Sequence, residues 1–430
     1  MGYNLFSVKR LKEGTKKKLD SFAQTLGPAI ARGEQISFAD QDITNYIRLQ
    51  HERIEEKGLT MEYEVYDRDK QEDPIVSDQW RDGHYDSYNC FEEYGVKRMV
   101  ARSGKKLYKD NKPHLLHTTF ADFSSGVHPD NEPFTCPSCG SVSTIAELQN
   151  GCPYCQTRFK MDDLLPKVTK YYFTEEPGGN WEEIKPRLVA IAIVLDLIYL
   201  LIDFIRRFDY YSEMMSESMI EFVLCAIITA GLGFVFAFFM AYIFLGPITL
   251  VRAIMISRQY KGRSMVIRTR KKFEELMKPI CPEYSYDYFT GKITSMVEQV
   301  IFAKDAQDMV FYKGTGIDAS FREIIDMNYG ASWNLMDFQV GQGTVTVTTD
   351  VLFFVLRAEG DTVKNVPERY RAVFRRRTDV PMSTSFSISK IECPSCGGSF
   401  NAWKSKKCPF CGTDYDAETQ DWVLLELERM

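Results

Sequence analysis

The chain has 430 residues, which is enough for two or three domains, and its shares of charged residues, 26%, and hydrophobic residues, 44%, are ordinary for folded protein. The formal net charge of -6 at pH 7 is mild and argues against a general nucleic-acid binder. The N-terminus has no short apolar segment followed by a small-residue cleavage site, so we expect no secretory signal peptide.

Residues 1–130 are predicted to form an N-terminal α+β region. In the first 60 residues, apolar side chains recur at helical intervals at Ile43, Ile47 and Ile54, and Gly58 follows as a helix stop. Beyond this glycine the stretch LTMEYEVYD alternates between apolar and polar residues. Such alternation is typical of strands, so this part is expected to be small, polar and strand-containing.

A first cysteine quartet lies in the segment 131–170. Cys136 and Cys139 stand in the motif CPSCG, and after twelve residues Cys152 and Cys155 stand in CPYCQ. Two CxxC motifs at this separation suit tetrahedral coordination of one zinc ion, because each motif wraps the backbone around the metal. The segment is therefore predicted to be a zinc ribbon.

Two apolar runs follow a linker at 171–187 and form a predicted transmembrane hairpin at 188–256. The spans are expected at about 188–205 and 222–245, because a helix needs roughly 20 apolar residues to cross a hydrocarbon core of about 30 Å. The first run contains only two charged residues, Asp196 and Asp203, and the second contains none. A helix buried in the core of a large soluble protein is the competing interpretation.

Basic residues predict the orientation of this hairpin. The segment 252–272 holds eight lysines and arginines and no acidic residue, whereas the connector between the spans has only two basic residues, Arg206 and Arg207. Because basic flanks stay cytoplasmic, both termini are expected in the cytoplasm of a cell with the hairpin in its cell membrane. The segment 252–272 could also contact anionic lipid. Gly246 and Pro247 are expected to end or kink the second span.

A basic juxtamembrane helix at 257–282 is predicted to lead into a C-terminal α+β domain at 283–430. Helical spacing of apolar residues predicts helices at Tyr288–Ala303 and Ala319–Tyr329. Strand patterns follow, and a second ribbon at about 393–415 is expected in the loop between the last two strands. Its four cysteines repeat the arrangement of the first quartet with eleven residues between the motifs: Cys393, Cys396, Cys408 and Cys411.

Zinc is favoured over disulfide bonds in both quartets. Disulfides need an oxidising compartment, whereas the predicted topology places both ribbons in the cytoplasm. Four thiolates leave no vacant coordination position, so we expect two structural Zn²⁺ ions that stabilise loop-rich segments too small to hold a core of their own.

The residues that close the chain resemble a known family. The order of a basic helix, a helix-then-sheet domain, a CPSCGG quartet and a final strand beginning at Asp421, Trp422 and Val423 is similar to bacterial relatives of the mitochondrial inner-membrane translocase subunit that tethers the import motor, the Tim-forty-four-like family. The resemblance covers 265–430 well and does not cover 1–130. It implies a cone-shaped nuclear-transport-factor-two-like domain that binds membranes and proteins without catalysis.

Signals for catalysis are weak. Among common catalytic motifs, the sequence has no Walker loop, HExxH or GxSxG, and no histidine follows His128. His114 and His117 have no third ligand at suitable spacing and are interpreted as ordinary polar residues. Asp337 and Glu323 could act as an acid or base in a pocket of the C-terminal domain, but polar residues at a sheet rim are the simpler interpretation. We therefore expect no enzyme.

The function that fits these observations is a bacterial membrane-anchored adaptor, associated with transport, that binds a partner protein through its ribbons and C-terminal domain. An ion-coupled oligomeric transporter or channel using Asp196 and Asp203 is an alternative, because intramembrane carboxylates are costly. A ligand-binding or enzymatic pocket is another. The basic arm at 370–377 could contact nucleic acid, although a solvated edge is the simpler interpretation. Oligomers could form through the hairpin.

Overall fold

The structure is a computed structural model in which the chain forms two compact units, Met1–Glu176 with Arg263–Met430, and Pro177–Gly262. The predicted α+β class is confirmed for the described residues. These are residues 11, 14–67, 74–81, 85–123, 133–136, 139–144, 147, 152–155, 166–174, 181–259, 263–306, 309–380, 390–393, 395–396, 399–401, 407–419 and 421–430.

The first unit begins with two helices and an antiparallel group of strands. Helix α1 spans Thr15–Arg32 and is followed by the capping residue Gly33 in the left-handed region. Helix α2 spans Gln41–Glu56, and the carboxylate of its N-cap Asp40 accepts from the amide of Asp42. Strands β1, β3, β4 and β7 lie side by side in that order, and β2 pairs with β3 at the edge. The bounds are α1 Thr15–Arg32, α2 Gln41–Glu56, β1 Thr60–Asp67, β2 Ile75–Arg81, β3 Tyr85–Arg102, β4 Lys105–Phe123, β5 Pro133–Thr135, β6 Val142–Thr144 and β7 Lys167–Thr174.

The C-terminal part of this unit has a matching succession of elements. Two helices and a short 3-10 helix precede strands β8, β9, β10 and β13, which again lie side by side in chain order. The bounds are α6 Arg263–Met277, α7 Tyr286–Phe302, the 3-10 helix Ala319–Glu323, β8 Ile324–Gly341, β9 Thr344–Glu359, β10 Thr362–Arg377, β11 Lys390–Glu392, β12 Ser399–Asn401, a second 3-10 helix Ala417–Thr419 and β13 Val423–Arg429.

The two successions are two structural repeats. Each contains a pair of helices, four antiparallel main strands and a small two-stranded ribbon inserted between the third and fourth of them. The repeats meet where β7 and β8 run parallel, with Thr174 opposite Tyr329. The regions 1–130 and 283–430, which the sequence suggested were separate domains, therefore share one nine-stranded sheet among the described residues.

Buried charged groups hold the two repeats together. Arg98 on β3 is 1% exposed and contacts Asp110 at 2.6 Å and Asp326 of the other repeat at 2.9 Å. Gln50 on α2 donates to the same Asp326 carboxylate at 2.9 Å. Breaking a buried pair leaves an uncompensated charge, so this seam is sensitive to the loss of any partner.

Aromatic packing around α7 fills the core of the second repeat. All residues of α7 except Asp287 and Ser295 are buried. The ring of Phe289 contacts the fully buried rings of Trp333 and Trp422 at centroid distances of 5.4 and 5.1 Å. Burial of side chains this large contributes several kcal/mol in total, at about 1.5–3 kcal/mol each.

Two secondary-structure predictions were wrong. The predicted helix Ala319–Tyr329 is a 3-10 helix followed by strand β8, whose first seven residues are all buried. A strand buried on both faces lacks alternation and can match helical spacing. In the predicted linker 171–187, residues 171–174 belong to β7 and 181–187 to a helix, while 175–180 lie outside the described residues.

The second unit is a helical hairpin. Helix α3 spans Trp181–Arg206, α4 spans Phe208–Glu217 and α5 spans Met219–Gln259. Two segments, Leu188–Arg206 and Met219–Ile243, are long and apolar enough to cross a membrane by length and composition. Helix α5 continues through Gly246 and Pro247, so of the two expected outcomes, an end or a kink of the second span, the helix does not end there.

We expect Arg98→Met to lower the free energy of unfolding by about 3–5 kcal/mol, because it leaves Asp110 and Asp326 buried without their cation. Lys97→Met is the matched control on the same strand, since Lys97 pairs with the exposed Glu64 and should cost less than about 1 kcal/mol. Thermal and denaturant unfolding of both variants checks this. Equal losses in the two variants would contradict it.

A buried lysine gives the fold a pH dependence. Lys170 on β7 is 3% exposed, and its Nζ has no hydrogen-bond partner among the described residues and lies 4.8 Å from the ring centroid of Tyr288. Burial, with help from Lys292, lowers the pKa of Lys170 from 10.5 to about 7. The unfolded chain thus binds this proton more tightly than the folded chain does. The resulting loss of folding stability is absent above pH 10.5, grows as the pH falls towards 7 and is constant below pH 7.

Lys170→Met should therefore stabilise the fold at neutral pH by about 2–4 kcal/mol, and the gain should shrink between about pH 7 and pH 9. Lys292→Met should have the opposite effect, because it orphans the buried Asp421 carboxylate. Unfolding curves of both variants measured between about pH 7 and pH 9 test the expected stabilisation by Lys170→Met and the expected destabilisation by Lys292→Met. A Lys170→Met gain that does not change with pH would rule out the titration.

Candidate metal centres

The first four-cysteine cluster lies in the ribbon of the first repeat, between β4 and β7. The Sγ atoms of Cys136 and Cys155 are 3.7 Å apart, as are those of Cys139 and Cys152, and all four lie within 4.8 Å of one another. None of these cysteines forms a disulfide. The predicted ligands are thus brought together as one group.

The second cluster repeats this geometry in the ribbon between β10 and β13. Cys393 and Cys411 have Sγ atoms 3.6 Å apart, and Cys396 and Cys408 have the same separation. A tetrahedron with metal–sulfur bonds of about 2.3 Å has sulfur–sulfur edges of about 3.8 Å. Both clusters therefore fit a tetrahedral metal ion held by four thiolates.

The backbone of each ribbon forms a tight turn that points the sulfur atoms inward. In the first ribbon the amide of Cys136 donates to the Ser141 carbonyl at 2.7 Å, and the amide of Gly140 donates to the Cys136 carbonyl at 2.8 Å. Gly140 has a positive φ of 71°, which only glycine adopts at little cost. The same bonds and the same glycine conformation recur in the second ribbon at Cys408, Gly412 and Thr413.

Hydroxyl groups next to the sulfur atoms favour the thiolate form that binds metals. Ser141 Oγ lies 3.0 Å from Cys139 Sγ and 3.4 Å from Cys152 Sγ. Thr413 Oγ1 lies 3.2 Å from Cys411 Sγ, and its hydrogen bond lowers the pKa of Cys411 to about 6. Both hydroxyls follow a Cys-Gly pair, a signal that the sequence analysis did not use.

The second ribbon packs against the protein body. Cys393 and Cys408 belong to the main hydrophobic cluster of the first unit, whereas the described cysteines of the first ribbon do not. Arg375 on β10 contacts the Glu418 carboxylate through both Nε and Nη2, at 2.6 and 2.8 Å. Loss of the second metal should therefore disturb the body more than loss of the first.

The other residues considered for chemistry do not converge on one site. Glu323 pairs with Arg357 at 2.9 Å, whereas Asp337 is exposed and accepts from Gln339. His117 stacks on Tyr172, and burial lowers its pKa to about 3.

His114 is buried at the seam, where its Nε2 lies 3.4 Å from the side-chain amide group of Asn328. The two histidines thus lie among aromatic and polar neighbours, and neither belongs to a cluster of metal-binding side chains among the described residues.

The basic arm at 370–377 is not a free cationic surface. Arg371 pairs with Glu426 at 2.8 Å, Arg375 with Glu418 and Arg377 with Asp379 at 2.5 Å. Arg376 is fully buried beside the ring of Tyr284. These neighbours leave little of the arm available for phosphate contacts.

In the hairpin, the two aspartates have different surroundings. Asp203 accepts from Tyr211 Oη at 2.6 Å and pairs with Arg207 at 3.3 Å, one helical turn on, as the sequence suggested. Asp196 is 8% exposed, and no hydrogen-bond partner for its Oδ1 lies in the part of the chain that the structure describes. A Cβ added at Gly233 would lie 2.3 Å from that oxygen, so the two helices approach closely only because this residue is glycine.

Comparisons with known proteins found no match to a family model, a curated protein or a solved structure. The geometry of the chain itself therefore carries the functional argument.

Purified protein should contain two metal ions per chain by elemental analysis. Cys139→Ser should lose one ion with little change in the unfolding of the body, whereas Cys411→Ser should lose one ion and lower the melting temperature. Cys281→Ser is the control, because Cys281 is a buried cysteine outside both clusters. Two ions retained in either ligand variant would contradict the assignment.

Proposed function

We propose that the protein is a non-catalytic adaptor that is anchored in a cell membrane by the hairpin and binds a partner protein in the cytoplasm through its two zinc ribbons. The observation that carries this proposal is a matched pair of exposed aromatic residues. Tyr154 and Phe410 occupy the same position of the motif CPxC in the two ribbons and are 71% and 54% exposed.

Exposed aromatic side chains on a rigid support suit protein recognition. Tyrosine and other aromatics are enriched at interfaces because they bury a large area at a low cost in side-chain entropy. Val142 of the first ribbon is also 60% exposed, next to the cysteine cluster. A closed four-cysteine site offers no position for substrate, which favours binding over catalysis by the ribbons.

Zinc is the metal that best suits the proposal. Four thiolates in a tetrahedron are typical of zinc or iron, and zinc adds no redox chemistry to a structural site. In the proposed topology, which rests on the basic segment 252–272, both ribbons are cytoplasmic, and cysteines stay reduced in that compartment. A colourless protein with two zinc ions is expected, whereas a visible absorption band would indicate iron.

Exposure of the apolar helices supports the membrane anchor. Only 22% of the apolar window in the first segment and 11% of that in the second are buried within the protein. A core helix of a soluble protein would be covered on most sides, and an uncovered apolar surface of this length favours lipid contact. Lipid would also explain the small residues where the helices meet, including Ala192 and Ala237.

Transport association and the cone-shaped, nuclear-transport-factor-two-like domain remain part of the proposal through the resemblance over 265–430. The matching element succession in the first repeat extends that idea, because both repeats would carry the same kind of domain. Contact of the segment 252–272 with anionic lipid, and oligomers formed through the hairpin, complete the proposed picture of a membrane-attached scaffold.

A second candidate function is ion or proton coupling in the hairpin. It is favoured by Asp196, a buried carboxylate with an unpartnered oxygen on an apolar helix, since intramembrane carboxylates often lie on ion pathways. Asp196→Asn should then abolish a membrane-dependent activity while the hairpin still inserts. An unchanged phenotype would remove this candidate.

We expect Tyr154→Ala together with Phe410→Ala to weaken partner binding at least tenfold, or about 1.4 kcal/mol, while two metal ions remain bound. Proximity labelling from the C-terminus in intact cells identifies the partner, and a pull-down with each variant measures the loss. Tyr154→Phe is the matched control that keeps the ring. An identical labelling pattern for the double variant would refute binding through the ribbons.

A further inference from the structure

A polar cleft lies at the junction of the two repeats, away from both cysteine clusters. It encloses about 350 Å³, a volume within the usual range of small-molecule sites. Its walls come from Arg53 on α2 of the first repeat and from residues of the segments 301–306 and 312–322 of the second. The cleft therefore exists only because the repeats are packed together, and the sequence gave no sign of it.

The floor of the cleft contains a buried cation that lacks an acidic partner. Arg53 on α2 is 8% exposed, and no carboxylate of the described residues lies within 4.0 Å of its guanidinium. Buried arginines are normally paired, because desolvating a charge is costly. Arg53 thus has no carboxylate in direct contact among the described residues, and the more distant Glu56 offsets its charge only in part.

The guanidinium of Arg53 is held in a fixed position. Its Nη1 donates to the carbonyls of Phe321 at 2.8 Å and Ile324 at 3.2 Å, and its Cζ lies 4.8 Å from the ring centroid of Phe302. These contacts occupy one nitrogen, so Nε and Nη2 remain as donors. A pre-positioned planar fork of this kind suits bidentate binding of an oxyanion.

A second arginine raises the positive potential. Burial and the nearby Arg322 lower the pKa of Arg53 to about 10, so the side chain stays charged at neutral pH beside a like charge. An anion bound by both arginines would offset the repulsion between their guanidinium groups. Lys304, also at the rim, is already held by Glu52 and Glu56 at 2.9 and 2.8 Å.

The opposite wall is a glycine-containing loop. Gly314 packs so closely on the ring of Tyr312 that an added Cβ would lie 2.3 Å from its Cζ, and Tyr312 Oη donates to the Gly316 carbonyl at 2.9 Å. These contacts fix the loop and leave Thr315 exposed at the cleft. The wall thus offers a hydroxyl and main-chain polar groups.

We infer that this cleft binds the oxyanion group of a small polar molecule, with Arg53 and Arg322 as the anion-binding residues. A phosphate monoester and a carboxylic acid share this chemistry. Asp305 and Asp318 on the rim add acceptors for hydroxyl or amino groups of the same ligand. The site is independent of the ribbons, so it goes beyond the adaptor function and does not depend on it.

Calorimetric titration of the full-length protein with inorganic phosphate, and separately with acetate, tests the inference. Saturable binding at roughly millimolar concentration or tighter is expected. Arg53→Lys keeps the charge but loses the fork and should weaken binding about tenfold, and Arg322→Gln should weaken it about three- to tenfold. Tighter binding of phosphate than of acetate would assign a phosphate ligand, and the reverse would assign a carboxylate.

Arg32→Gln is the control, because Arg32 is an exposed arginine that pairs with Glu34 outside the cleft. Its affinity should equal that of the wild type. Because Arg322 is exposed, the Arg322→Gln variant should fold normally. It therefore tests the inference even if Arg53→Lys destabilises the protein. No saturable binding of either anion, or binding that Arg322→Gln leaves unchanged, would overturn the inference, whatever the outcome for partner binding.

Discussion

The buried contact between Arg98 and Asp326 is the constraint on which the first unit depends, because it joins charged groups from two repeats where their sheets meet. The parallel pairing of β7 with β8 has one described residue pair, Thr174 with Tyr329, so main-chain hydrogen bonds alone hold the seam weakly. The Asp110 and Asp326 carboxylates compensate the charge of the buried Arg98 guanidinium, and Gln50 donates a hydrogen bond to Asp326. The seam also creates the cleft at Arg53.

The repeats use one device to attach their ribbons. In both, the strand that leaves the ribbon is tied by a buried ion pair to the second helix of the repeat or its cap: Lys167 with Asp40 at 2.8 Å, and Asp421 with Lys292. The first pair has its lysine at the start of the strand and its aspartate at the helix cap, whereas the second pair has its aspartate just before the strand and its lysine in the helix. The residue identities therefore did not reveal that the two ion pairs are equivalent. Each metal ribbon is thus an insertion closed by two paired strands and one ion pair, which lets a loop-rich lobe sit on a sheet without interrupting it.

Local patterns predicted much of the chain. Helical spacing predicted α2 and α7, and the CxxC spacing predicted both ligand sets, because such features depend on residues close together in sequence. The prediction failed at Ala319–Tyr329, where strand β8 is buried on both faces and shows no alternation. It also separated 1–130 from 283–430, because no local pattern shows that β7 pairs with a strand about 150 residues away.

By itself, the sequence determined the eight candidate metal ligands and the two apolar helices, since ligand spacing and hydrophobic length are local properties. Only the tertiary structure decided which charges are buried and which are paired. Gln50 and Asp326 are 276 positions apart, and Arg53 meets the carbonyl of Phe321 across 268. Burial and pairing of such groups depend on how the repeats pack, because desolvation and Coulomb energy are set by neighbours in space and not by neighbours in sequence.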